Sequence, residues 1–306
     1  MKRLFGIAFI GLLLVSCGGS SPGRLKVDIG KALKSKVRAQ DLYTQADSIP
    51  LRCPGGASLL DVAADRFFLL DGEQNAILVL DWNGKYVTTI SEADTIIDFS
   101  VYQDRILDVL TENAITEYAV TDGAFLAKYL IQDNDVMLKS VARATEDGIF
   151  IMGTQDGYAY DCDFLISKNR FYSGARPAAN YLSTHSYVPA SEFQNSRFFR
   201  CEGTVYSFCS QSGLIGQYTD DYFICVPYEW DFGKWKLSIT NVQKTADRFY
   251  LAFELEDEKY VLIYDLAHKK YRAVQHSAFP LGIIYADTNY SLAKDGDSLV
   301  MVRYKL

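Results

Sequence analysis

Histidine is scarce in this chain: three of 306 residues, His185, His268 and His276, none at His-x-x-x-His spacing. Cys-x-x-Cys does not occur, so the cysteines outline no structural zinc site. Asp-x-Asp-x-Asp-Gly is absent as well, which removes the ordinary calcium loop. Positive charge is in deficit. Lys and Arg number 31 against 38 Asp and Glu, a net charge of −7 with no basic stripe, so a nucleic-acid partner is not expected. Proline is limited to seven residues while Tyr (21) and Phe (18) abound, a balance that suits strands. Helical periodicity is rare, and its best candidate after the leader is a short helix within Ile29–Leu42.

A long apolar run stands at the N-terminus, Leu4–Val15, behind Lys2 and Arg3, and it is too short to span a bilayer as a mature helix. It ends in Leu14-Val15-Ser16-Cys17, the order of the bacterial lipobox, in which the signal is cut before Cys and the thiol takes diacylglycerol. Residues 1–16 are therefore expected to be a lipoprotein signal peptide. Residues 17–40 would be a lipidated Cys17 and a tether, flexible at Gly18–Gly23. Acyl chains hold at about 0.8 kcal/mol per buried CH₂, so the membrane is an expected partner through Cys17. The expected address is the cell envelope, at the outer membrane. No acid follows Cys17 before Asp28, and the periplasmic or surface side stays open.

The most informative stretch is Asp65–Ile90. It reads as three strands (Arg66–Leu70, Ala76–Leu80, Tyr86–Ile90) with a tight turn at Asn83-Gly84. With Ser58–Ala63 before it, a four-stranded meander results. Its marker, an acid, then Arg, Gly or Ser, then a β-run, begins at Asp65, Asp104, Asp147, Glu202, Asp247 and Asp297. The mean interval is about 46 residues, the period of propeller blades. One such sheet cannot bury both faces alone, so the units stack radially. The expected fold is all-β, a six-bladed β-propeller over residues 41–306. Counted from Asp297, the last blade has too few strands. An N-terminal strand from Leu42–Leu51, with Lys26–Ile29 as a further contributor, would close it.

A lipobox, a strand ending in Ile49-Pro50-Leu51, an Asp-Arg-β-run, and Asp81 followed by Asn83-Gly84-Lys85 together resemble the six-bladed, NHL-like β-propeller lipoproteins of Gram-negative bacteria. The resemblance is strongest over Ile49 to Leu130, and it implies an envelope propeller without an assigned reaction. Family members often carry Gly-Pro-Gly-Glu after the first blade. Here Ile90 is followed by Ser91-Glu92-Ala93-Asp94.

Candidate site residues fall in irregular stretches, which in a propeller map to its faces. Tyr228, Trp230 and Trp235 cluster with Glu229 and Asp231 and could form an aromatic platform for a sugar or peptide; the competing reading packs the Trp rings between blades. The platform would share a pocket with the loop carrying Arg170, Arg176 and His185. Cys53, Cys162, Cys201, Cys209 and Cys225 are expected mostly as buried free thiols. If Glu202-Gly203 is a turn, residue 201 faces residue 204, so the nearby pair Cys201 and Cys209 is not positioned to bond. No cofactor is expected, with calcium in the central channel left open. The leading function is a membrane-anchored binding or scaffold module engaging a glycan, a peptide or an envelope protein. The alternative is a propeller hydrolase or lyase acting on a carbohydrate or related small molecule, with His, Arg and carboxylates converging in the central funnel.

Overall fold

The computed structural model describes residues 23–306 apart from 36, 39–40, 52–56, 64, 132–135, 147, 156–160, 168–175, 178–197, 209–212, 219–223 and 297. A short strand, β1 (Gly23–Lys26), leads into a five-residue helix, α1 (Ile29–Leu33). The helix starts where the Asp28 carboxylate accepts from Lys31 N, and it takes up the first five residues of the Ile29–Leu42 stretch in which a short helix is expected. Strand β2 (Gln45–Pro50) follows.

Strands then come in fours. The first group is β3 (Ala57–Ala63), β4 (Arg66–Asp71), β5 (Ala76–Asp81) and β6 (Tyr86–Ser91). The second is β7 (Ile96–Tyr102), β8 (Ile106–Thr111), β9 (Ala114–Ala119) and β10 (Phe125–Leu130). The third is β11 (Val136–Arg143), β12 (Gly148–Gln155), β13 (Asp161–Ser167) and β14 (Arg176–Pro177). The fourth is β15 (Phe199–Cys201), β16 (Thr204–Phe208), β17 (Leu214–Tyr218) and β18 (Ile224–Asp231). The fifth is β19 (Ser238–Lys244), β20 (Arg248–Leu255), β21 (Glu258–Asp265) and β22 (Lys270–Gln275). The last three strands are β23 (Ile283–Tyr285), β24 (Thr288–Asp295) and β25 (Ser298–Lys305). Among the described residues these form six sheets, each paired in chain order. The first strands touch around a common axis, β3 with β7 and β23, β7 with β11, and β19 with β15 and β23. The architecture is an all-β propeller.

Apolar side chains on both faces of each sheet make the core between sheets. Phe68, Ile77 and Val79 of the first sheet meet Phe99, Val101, Leu107 and Val109 of the second. Phe67, Leu69 and Leu80 meet Tyr290 and Met301 of the sixth. The first hairpin matches its sequence signal. Gly84 has φ +73, and the Asp81 carboxylate accepts from Asn83 N and Lys85 N, both at 2.9 Å. A Cβ at residue 84 would run into the Pro50 carbonyl oxygen, so this glycine also admits the closing strand.

That strand is β2. It pairs antiparallel with β25 from Gln45↔Lys305 to Pro50↔Val300 and completes the last sheet, in the order β2-β25-β24-β23. The Asp47 carboxylate clamps Arg303 at 2.6 and 2.8 Å, which holds its pKa below the ordinary value.

Four expectations need correction. Residues 23–33 do not belong to a free tether: Leu25, Val27, Ile29 and Ala32 are buried in the core under the fourth and fifth sheets. The strand at Lys26 does not join the last sheet either. β1 adds in parallel to the outer edge of β18, Gly23↔Tyr228 to Lys26↔Asp231. The sixth marker sits one strand late. The turn from the first to the second strand of the last sheet is Ala286-Asp287, both at positive φ; Asp297 itself lies outside the described residues, between the second strand and the third. Finally, Tyr228–Asp231 is strand, not loop, because β1 and β17 give its backbone partners on both sides.

Candidate functional site: the central channel

The first strand of each sheet presents an edge to the axis, and an edge leaves backbone N–H groups without a ladder partner. Polar side chains from the preceding sheet take them. Asp61 accepts from Val101 N at 2.7 Å. Asp98 accepts from Val141 N at 3.1 Å and from the Ser140 hydroxyl at 2.6 Å. Gln243 accepts from Ile284 N at 3.1 Å, and Asn241 donates to the Leu281 and Gly282 carbonyls at 3.2 and 2.8 Å. Asp61 and Gln243 stand four residues before the acids of their markers, and Asp98 and Asn241 six before. A polar residue breaking an apolar first strand is thus the sequence signal for this ring of bonds. The sequence reading missed it.

Longer side chains cross the axis. Arg200 on β15 reaches β7, two sheets away, donating to the Ser100 hydroxyl at 2.8 Å with its guanidinium 6.0 Å from the Tyr102 ring centre. Burial lowers the Arg200 pKa, against the pull of Asp61 and Asp108. On the face bearing the marker turns, the Tyr285 hydroxyl donates to both Asp104 oxygens at 3.0 and 3.1 Å, bridging sixth and second sheets. Burial first, and this carboxylate second, push the Tyr285 pKa up to about 12.

Between the second and third sheets lies a fully buried charge cluster. Arg143 donates to Asp108 at 2.5 and 2.9 Å, to Glu117 at 2.5 Å and to the Glu146 carbonyl at 2.7 Å. The three side chains are 0%, 0% and 5% exposed, so no solvent screens them. Burial alone would lower the Arg143 pKa; the two carboxylates outweigh it and raise it. Burial pushes the Asp108 carboxyl up, with Arg143 pulling the other way. These groups lock sheet to sheet. Among the described residues no three His, Cys, Asp or Glu side chains come together as a metal site.

The aromatic residues go elsewhere. Trp230 is 4% exposed, stacked on Phe232 at 5.5 Å and edge-on to Phe249 and Tyr264 at 5.7 and 5.5 Å. Tyr228 is half-buried, its ring 5.2 Å from that of Phe249. Trp235 is half-buried beside Gly30 of α1, with Lys234 Nζ 5.9 Å from its ring centre. All three therefore pack against the core that joins α1 to the fourth and fifth sheets, and are not displayed on a platform. Arg170 and His185 lie outside the described residues, as does the side chain of Arg176 on β14. The other two histidines sit at the rim of the fifth sheet, His268 in the β21–β22 turn and His276 just after β22. Cys201 is a buried free thiol facing Thr204 across the turn. Cys53 and Cys209, and the side chains of Cys162 and Cys225, lie outside the described residues. Trp230→Ala is expected to cost about 3–5 kcal/mol of folding stability by opening a core cavity. Trp235→Ala should cost less, because its ring is only half-buried. Urea titrations of both variants check this, and an unchanged midpoint for Trp230→Ala would contradict the packing role.

No family model matches the chain, and no curated protein matches it in sequence. Solved structures match in shape. A Bacteroides fragilis protein described as exported superposes with a TM-score of 0.64 at 11% identity, over 93% of this chain and 100% of that one. A streptogramin B lyase reaches 0.52 at 10% identity, over 84% and 97% of the two chains. A luciferin-regenerating enzyme reaches 0.52 at 8% identity, over 86% and 96%. At such identities the likeness shows the propeller fold alone.

Proposed function

We propose that this chain is a lipid-anchored, six-bladed propeller of the cell envelope that engages another envelope protein rather than catalysing a reaction. The six sheets support the blade count. The signal segment ending at Cys17 and the fold shared with a protein described as exported support the address. The observation that carries the binding role is the outer edge of the second sheet. On β10, Phe125, Leu126 and Leu130 are 62%, 49% and 64% exposed. Tyr86 and Val87 on β6, the neighbouring outer strand, are exposed too. An apolar edge strand offers both free backbone groups and side-chain contacts to an added strand. The chain uses this mode itself where β1 adds to β18. The channel favours the non-enzymatic reading, since Asp61, Asp98, Arg143 and Arg200 all hold protein partners. The glycan reading relied on Tyr228, Trp230 and Trp235, which pack against the core of the fourth and fifth sheets.

A photo-crosslinking residue at Leu130, in the anchored protein in cells, should capture an envelope protein, whereas one at the exposed turn residue Lys269 should not. Absence of protein adducts at both Leu130 and Phe125 would reject the docking edge, and lipid adducts there would assign it to the membrane. Cys17→Ser should move the protein from the membrane fraction to the soluble fraction. Membrane association that survives this change would refute the anchor.

A further inference from the structure

We propose that Cys201 and Lys244 form a covalent cross-link under hydrogen peroxide, a sulfenamide between Sγ and Nζ that staples the fourth sheet to the fifth. Cys201 ends β15, and Lys244 ends β19 on the neighbouring sheet. Nζ stands 3.7 Å from Sγ. Its other contacts are the Thr245 carbonyl at 3.0 Å and the rings of Tyr206 and Phe249, at 5.7 and 5.8 Å. Among the described residues no carboxylate forms an ion pair with Lys244, so nothing of opposite charge holds the amine away from the sulfur. Cys201 and Lys244 are 7% and 8% exposed, which bars bulky reagents. Glu202 and Gly203, next to the thiol, form an exposed turn, and this gives a molecule as small as peroxide a short path in.

The chemistry balances. The Cys201 thiolate attacks one peroxide oxygen, the O–O bond breaks, and sulfenic acid and water form. Sulfur gives up two electrons, which the peroxide takes. Lys244 passes its ammonium proton to water, its nitrogen attacks Sγ, and the S–OH oxygen leaves as a second water. One thiol, one amine and one peroxide thus give one S–N bond and two waters. Burial holds the Cys201 thiol above its ordinary pKa and the Lys244 charge partly offsets this, so the thiolate that starts the sequence is a minority form. Among the described side chains no second thiol stands beside Cys201, and the amine is the nucleophile placed to trap the sulfenic acid before a further peroxide does.

The test is tandem mass spectrometry of the reduced, folded protein after peroxide treatment and proteolysis. The expected product is a peptide pair joined through residues 201 and 244, two hydrogens lighter than the sum of its parts and released by a thiol reductant. A pair on the same two residues that is heavier by one oxygen is the product of a second peroxide and supports the assignment equally. The linked pair should be absent from Lys244→Met. The urea midpoint of the wild type, but not of Lys244→Met, should rise on oxidation, because the link closes a 43-residue separation in the unfolded chain. The proposal is overturned if Cys201 of the folded wild type ends as sulfinic acid, as a disulfide or unmodified, with no linked pair. The wild-type spectrum decides this even if the variant folds poorly.

Discussion

Deleting residues 1–51 is expected to abolish cooperative folding, while deleting residues 1–44 is expected to weaken it and leave a folded ring. The shorter deletion removes β1 and α1 and, with them, the buried side chains of Leu25, Val27, Ile29, Ala32 and Leu42. The longer one also removes β2. It strips β25 of its outer partner and exposes the side chains that Ile49 and Leu51 cover, among them Leu60, Phe67, Leu80 and Met301. It also cuts the Leu51 N to Leu299 O bond of 2.9 Å and the Asp47–Arg303 pair. Burying a large aliphatic side chain is worth about 1.5–3 kcal/mol, and a domain's whole stability is about 5–15 kcal/mol. The six large ones, Leu25, Val27, Ile29, Leu42, Ile49 and Leu51, together rival that total. Breaking the ring adds a further penalty, because the first and last sheets are held together through the strand that is lost. Circular dichroism melts of the two truncations against a chain lacking residues 1–22 measure the steps. Equal midpoints for the 1–22 and 1–51 deletions would refute closure by β2.

That closure was legible in the sequence because it is a matter of counting: the C-terminal end lacks strands and the N-terminal end has one to spare. The first sheet was legible for a different reason, since its turns use Asn83-Gly84 and its strands are continuous apolar runs. Where reading failed, the local signal was weak or pointed the wrong way. Ala286-Asp287 takes two positive φ values without a glycine, so Asp297 looked like the better turn. β1 is mostly polar, with only Leu25 buried, and its parallel pairing to β18 uses backbone groups that any sequence possesses. Two acids and Gly233 made Tyr228–Asp231 read as part of a loop. The alternation of Tyr228, Trp230 and Phe232 was the truer signal, and an added outer strand is what allowed it to express itself. The charge cluster was hidden by distance: Arg143 lies 35 residues from Asp108 and 26 from Glu117. Asp108 and Glu117 interrupt the strands ILDVLT and AITEYA, and Arg143 ends VMLKSVAR; that is the trace they leave.

Arg143→Met is expected to destabilise the fold by about 3–5 kcal/mol, the cost of leaving a buried charge without its counter-charge. Asp108 and Glu117 are directly opposite on β8 and β9, so without the guanidinium two like charges face each other out of solvent. The loss should grow with pH, and the sign follows from the desolvation that already pushes the Asp108 carboxyl upward. With the Arg143 bonds gone, the charge of Arg200 alone opposes that push, and the folded pKa stands above the unfolded value of about 3.9. A carboxyl whose folded pKa is raised contributes stability below its unfolded pKa and loses it as pH climbs through the folded value. The gap between wild type and variant should therefore be small near pH 4 and widest above neutrality, read as urea midpoints across that range. Adding Asp108→Asn and Glu117→Gln to Arg143→Met should flatten the pH dependence and recover part of the lost stability, because the amides bury no charge. A single variant that loses less than about 1 kcal/mol, or loses the same amount at every pH, would show that the cluster does not hold the second and third sheets together as an ion group.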